Sequence, residues 1–154
     1  MKRIFLCFAV YLCLAGSFAQ AAAAPDGSLR LLQEIAQHRG KVVLVNFFAS
    51  WCEPCKQEIP SLVRIRRDYA LDKVIVLGVS LDEEPALVPP FVQRLGINYP
   101  VQLATDDMPR MFRISAIPHN LVYDTTGRLV ANQPGLIEEN ILRAAIDELL
   151  EQKK

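Results

Sequence analysis

The apolar positions fall into two kinds of run. Residues 41–48 and 74–80 are nearly continuous stretches of β-branched, leucine and aromatic side chains. They lack the alternation of a strand with one wet face, so both are expected to be central strands covered on either side. Elsewhere apolar residues recur at helical spacing. Residues 28–36 place Leu29, Leu32, Ile35 and Ala36 on one face, with Ser28 as N-cap and Gly40 ending the segment. Residues 53–69 do the same with Ile59, Leu62, Val63, Ile65 and Tyr69; Pro54 is tolerated in the first turn and Pro60 is expected to kink the middle. An acidic, proline-rich crossing at 82–90 leads to a shorter helix at 91–95, an extended piece at 99–103 and a helical turn at 107–112. Strands at 120–124 and 128–133 then flank Thr125-Thr126-Gly127, whose glycine suits a hairpin turn. Residues 137–150 close the chain as an amphipathic helix with Ile141, Ala145 and Leu149 on one side. This order predicts an α/β fold, a central mixed sheet flanked by helices on both faces.

The length of 154 residues and the 51% hydrophobic content fit one globular domain with a short apolar leader. Lys2 and Arg3 precede the apolar run Ile4 to Ala15 and the small residues Gly16, Ser17, Ala19, Ala21 and Ala22, the pattern of an export signal. Residues 1–24 are therefore expected to form a signal peptide, or an N-terminal membrane anchor through 4–24 if uncleaved, with the folded domain at 25–154. The expected location is the periplasm, or the extracytoplasmic face of the inner membrane in the anchored case. Leu6 and Leu12 precede Cys7 and Cys13, so neither cysteine has the small neighbour of a lipid-acceptor site. Setting aside Lys2 and Arg3 leaves 15 basic against 17 acidic side chains, which argues against a nucleic-acid partner. The cluster Arg64, Arg66 and Arg67 reads as a solvated helix face.

With the leader excluded, two of the four cysteines remain, Cys52 and Cys55. A structural disulfide stabilises by closing a long loop, and this pair closes almost none. Two residues between sulfurs at a helix start instead suit a reversible dithiol. The helix N-terminus offers unpaired N–H groups and the positive end of the dipole, favouring a Cys52 thiolate. Cys52 is expected to attack first; Cys55, nearly a turn further on and more buried, to resolve the mixed disulfide. Glu53 supplies no cation between the sulfurs, which points to a reductant rather than a strong oxidant. Glu58 lies three residues beyond Cys55 and is either its proton acceptor or an exposed helix glutamate. Ile117-Pro118 falls in a loop before a strand, where a cis bond would set an open backbone edge against the sulfurs.

The stretch Val45-Asn46-Phe47-Phe48-Ala49-Ser50-Trp51-Cys52-Glu53-Pro54-Cys55-Lys56-Gln57-Glu58 resembles the active site of the TlpA/ResA-like thiol-disulfide oxidoreductases, an exported branch of the thioredoxin superfamily. The likeness extends from Lys41 to Leu150 and takes in Gly78-Val79-Ser80, Ile117-Pro118, Gly127 and Gly135. It implies a thioredoxin-like fold, a cis bond before Pro118, and a protein-disulfide reductase with no cofactor beyond the redox-active disulfide Cys52–Cys55. It also implies Cys52 as nucleophile, Cys55 as resolving thiol, Glu58 as the nearby acid, and Trp51, Pro54, Ile117 and Pro118 as the substrate-contacting residues. Implied partners are disulfide-containing exported proteins, apocytochrome c among them, and a transmembrane electron donor. Asn46 stands where cytosolic thioredoxins carry a buried aspartate, which throws proton handling onto Glu58. His119 replaces the usual threonine after the proline, and the region before Lys41 is short for the N-terminal hairpin of many relatives.

Other readings use the same residues. A copper-binding carrier would join Cys52 and Cys55 to His119, and a zinc site would need His38 and His119 for lack of a second cysteine pair. A peroxidase of related fold carries threonine three residues before its cysteine, where this chain has Ala49. Trp51, Phe47 and Phe48 suggest an apolar rim for substrate, although alternation along a strand requires at least one phenylalanine to be core.

Overall fold

The computed structural model describes residues 27–152, so the expected leader lies outside the described residues. Among the described residues five strands form one sheet: β1 (Val42–Phe48), β2 (Val74–Ser80), β3 (Val101–Leu103), β4 (His119–Tyr123) and β5 (Leu129–Pro134). Their order is β3-β2-β1-β4-β5. The β1–β2 and β2–β3 pairs are parallel, and β1–β4 and β4–β5 antiparallel. Every residue of β1 and β2 is buried, as their unbroken apolar runs require.

Helices α1 (Gly27–Gln37) and α4 (Met108–Met111) cover one face, where Leu31, Ile35, Met108 and Phe112 pack on Val43, Val45, Phe47 and Leu121. Helices α2 (Glu53–Asp68) and α5 (Glu139–Glu151) cover the other, through Leu62, Ile65, Leu142 and Ile146 against Val42, Leu44 and Val122. Helix α3 (Val88–Leu95), preceded by a 3-10 turn at Pro85–Leu87, brings Phe91 against Phe48 at 5.5 Å between ring centroids. The hairpin turn is held by Asp124, whose Oδ1 accepts from the N–H groups of Thr126 and Arg128, while Gly127 takes φ 84°. Among the described residues no helix is long and apolar enough to cross a membrane.

Three local expectations are corrected. Ser28 lies inside α1; its N–H donates to Asp107, so a carboxylate from a distant loop serves that helix start. The inward face of α1 is Ser28, Leu31 and Ile35, and Leu29 is 45% exposed. In α5 the inward residues are Leu142 and Ile146, and Ile141 is 57% exposed. In both helices several apolar faces compete, and the packing partner rather than the periodicity chooses among them. Helix α2 continues through Pro60 from Glu53 to Asp68.

Candidate functional site

The fully buried strand β1 delivers the chain to a short loop, and Cys52 caps α2 with φ −80° and ψ 109°. Its Sγ accepts the Cys55 N–H at 3.2 Å, using one of the orphan donors of the helix start. Cys52 and Cys55 form a disulfide with 5.3 Å between Cα atoms. Cys55 is fully buried and Cys52 4% exposed. Glu53, in the first turn, pairs with Lys56 at 2.9 Å on the surface, so the negative charge between the sulfurs has a cation beside it.

The loop is fastened from β2. Asp82, just beyond that strand, accepts from Ser50 N–H at 2.9 Å and Ser50 Oγ at 2.7 Å, and from Ser80 Oγ at 2.7 Å. This anchor was absent from the sequence reading; the serine-aspartate pair Ser80 and Asp82 at the end of an apolar strand was the available signal. Trp51, held between the anchored Ser50 and Cys52, stands 67% exposed.

Glu58 is buried on α2, which removes the exposed-glutamate alternative. Its Oε2 accepts from Asn46 Nδ2 at 2.8 Å, and its Oε1 from Asn120 Nδ2 at 2.9 Å and Ile137 N–H at 2.8 Å. Burial raises its proton affinity above that of an ordinary carboxyl, and the bonds from Ile137, Asn120 and Asn46 pull it back down. Asn46 and Asn120 are register partners on β1 and β4, which puts both amides on the α2 side. Asn46 was singled out only by the family resemblance, as the residue in place of a buried aspartate; Asn120 was not singled out.

The Ile117–Pro118 peptide bond is cis. Ile117 packs against the cluster that contains Cys52, Cys55, Phe48 and Phe91. Pro118 is buried and its carbonyl is taken by the Gly135 N–H at 2.8 Å, whereas Pro54, like Trp51, is exposed. Phe47 and Phe48 are both fully buried, on opposite faces of the sheet, so neither forms a rim.

His119 does not face the sulfurs. It pairs in register with Phe47, its ring meets Phe47 edge-on, and its Nε2 contacts Asn132. That is the α1 side of the sheet, because strand side chains alternate and Asn120 takes the α2 side. Among the described residues no group of three His, Cys, Asp or Glu lies close enough to hold a metal. Cys52, Cys55 and His119 therefore do not assemble the ligand set of the copper-carrier alternative.

A disulfide capping a helix at the end of a central strand, beside a cis proline and on a sheet of this order, defines a thioredoxin-like dithiol protein. A solved thiol:disulfide interchange protein of the thioredoxin family from Chlorobium tepidum shares the fold with TM-score 0.69 and 30% identity, covering 75% of this chain and 83% of its own. The chain belongs to the AhpC/TSA family, matched over residues 16–132. Among curated relatives, the thiol-disulfide oxidoreductase ResA of Bacillus subtilis is 29% identical over 110 residues, 71% of this chain and 62% of ResA. The thiol:disulfide interchange protein HelX of Rhodobacter capsulatus is 32% identical over 114 residues, 72% of this chain and 62% of HelX. The chain thus spans less than two thirds of these relatives' length. Their names agree with the resemblance seen in the active-site stretch.

Proposed function

We propose that this chain is an exported thiol-disulfide oxidoreductase that works as a protein-disulfide reductase. The single observation that carries the reading is the Cys52–Cys55 disulfide at the start of α2 with the buried carboxyl of Glu58 on the same helix. In the reduced protein the Cys52 thiolate attacks a substrate disulfide, one substrate sulfur leaves as thiolate, and a mixed disulfide forms. Cys55 then gives its proton to Glu58 and attacks Cys52 Sγ. The second substrate sulfur departs, leaving both substrate sulfurs reduced and Cys52–Cys55 oxidised. Trp51, Pro54 and Ile117 form the surface met by the substrate, with Pro118 fixing the edge of the loop.

The leader at 1–24 supports export of the domain at 25–154 to the periplasm, or its anchoring to the inner membrane through 4–24. Disulfide-containing exported proteins are the substrates in this reading, apocytochrome c among them, as the resemblance to the TlpA/ResA-like branch implies. A transmembrane donor returns two electrons to Cys52–Cys55 after each cycle.

Equilibration of the chain from Pro25 onward with defined thiol-disulfide buffers tests the direction of the reaction. The expected potential lies at roughly −200 to −300 mV, and one near about −120 mV marks an oxidant and reverses the assignment.

A further inference from the structure

We propose that Asn120 is a positioning residue for the dithiol: with Asn46 it forms a one-way amide pair that fits Glu58 as a carboxylate and not as an acid. An ionised carboxyl only accepts hydrogen bonds, and Glu58 receives three, from Asn46 Nδ2, Asn120 Nδ2 and Ile137 N–H. Turning Nδ2 of Asn120 to Glu58 leaves Asn120 Oδ1 aimed at Asn46, where it accepts the second hydrogen of Asn46 Nδ2 at 2.9 Å. Each amide therefore fixes the orientation of the other. The arrangement has a cost, because Asn46 Oδ1 is buried with no hydrogen-bond partner among the described residues.

The acid form has no equivalent arrangement. A proton on Oε2 meets the Asn46 nitrogen; turning Asn46 alone sets its oxygen against the oxygen of Asn120. A proton on Oε1 meets the nitrogen of Asn120; turning Asn120 alone sets nitrogen against nitrogen. Turning both puts two amide oxygens against the carboxyl with one hydrogen to share. The Ile137 backbone N–H can only donate. Every acid arrangement therefore loses a bond that the carboxylate keeps.

In this disulfide form no other side chain among the described residues is hydrogen-bonded to Glu58. Cys55 lies on its own helix, and Tyr99, in the segment before β3, is buried with no partner for its hydroxyl among the described residues. Burial and the charge of Glu58 both push the Tyr99 phenol toward staying protonated. His119, next in sequence to Asn120, faces the opposite side of the sheet. Asn120 is thus one of three donors that oppose burial and keep Glu58 ready to accept a proton. That functional meaning rests on the proposed role of Glu58; the pairing itself does not.

The test is a pH titration of the Glu58 carboxyl carbon by NMR in the oxidised full chain, where neither cysteine of the pair titrates. Asn120→Val removes both bonds, and its midpoint is expected about one pH unit above the wild type. Asn120→Thr supplies a hydroxyl that can turn to serve either form, so its midpoint is expected between the two. Both variants should lie above wild type, and either alone decides if the other fails to fold. A midpoint at or below the wild-type value overturns the proposal. If the midpoints rise while Glu58→Gln leaves the pH dependence of the Cys55 step unchanged, the amide pair stands and the proton-acceptor reading of Glu58 falls.

Discussion

Burial makes Glu58 hold its proton more tightly than an ordinary glutamate, and its three N–H donors offset this only in part. A carboxyl whose affinity is raised by folding contributes stability fully below the ordinary carboxylate range, and that contribution is lost as pH climbs through the raised folded value. Glu58→Gln cannot ionise. The melting temperature of the wild type relative to this variant should therefore fall as pH rises from the ordinary carboxylate range, then level off. A difference that stays flat or grows with pH would show that burial does not dominate at Glu58. At this scale the sequence was informative in the two cysteines of one motif, and at Asn46 only through the family resemblance. Asn120 looked like any polar residue at a strand end, because nothing local announces which face of the sheet it will take. His119 was placed near the sulfurs for want of the same information, and the β1–β4 register sends it the other way.

Between elements, the active-site loop depends on Asp82 at the end of β2. Its carboxylate holds both the N–H and the hydroxyl of Ser50, and it is itself braced by Ser80. Asp82→Ala should cost about 2–3 kcal/mol in denaturant unfolding, the scale of hydrogen bonds to a charged group when their acceptor is removed. An unchanged unfolding midpoint would mean that Ser50 finds solvent at no cost. The elements themselves were legible because β1 and β2 are fully buried and read as continuous apolar runs, and because Gly127 marks the hairpin. The faces of α1 and α5 were less so. Leu29 and Ile141 extend the apolar side of their helices beyond what the sheet covers, so the inward stripe could only be chosen once the partner was known.

Across the whole molecule, α5 is tied to α2 by a surface network in which Arg143 meets Asp68 at 2.6 Å and Glu139 at 2.8 Å, and Arg64 meets Glu139 at 2.6 Å. Arg67 and then Arg143 hold Asp68, and Arg64 and Arg143 hold Glu139, below the ordinary carboxylate range. Solvent and salt screen such pairs, and the two helices already share the apolar contacts of Leu62, Ile65, Leu142 and Ile146. Arg143→Ala is expected to lower the melting temperature by no more than about 4 °C, and by less in high salt. A larger loss would make the network, not the core, the fastening of α5. The mixed sheet has a further consequence for how the molecule breathes. Strand β1 has neighbours on both sides and a helical layer on each face, whereas β5 lies at the margin with mostly exposed residues. Amide hydrogens of β1 should therefore exchange with solvent only when the whole domain unfolds, and those of β5 through small local openings. Cys52, the proposed nucleophile, thus follows a strand expected to open last, while Ile137, which helps to set the proton affinity of Glu58, follows a strand expected to open locally.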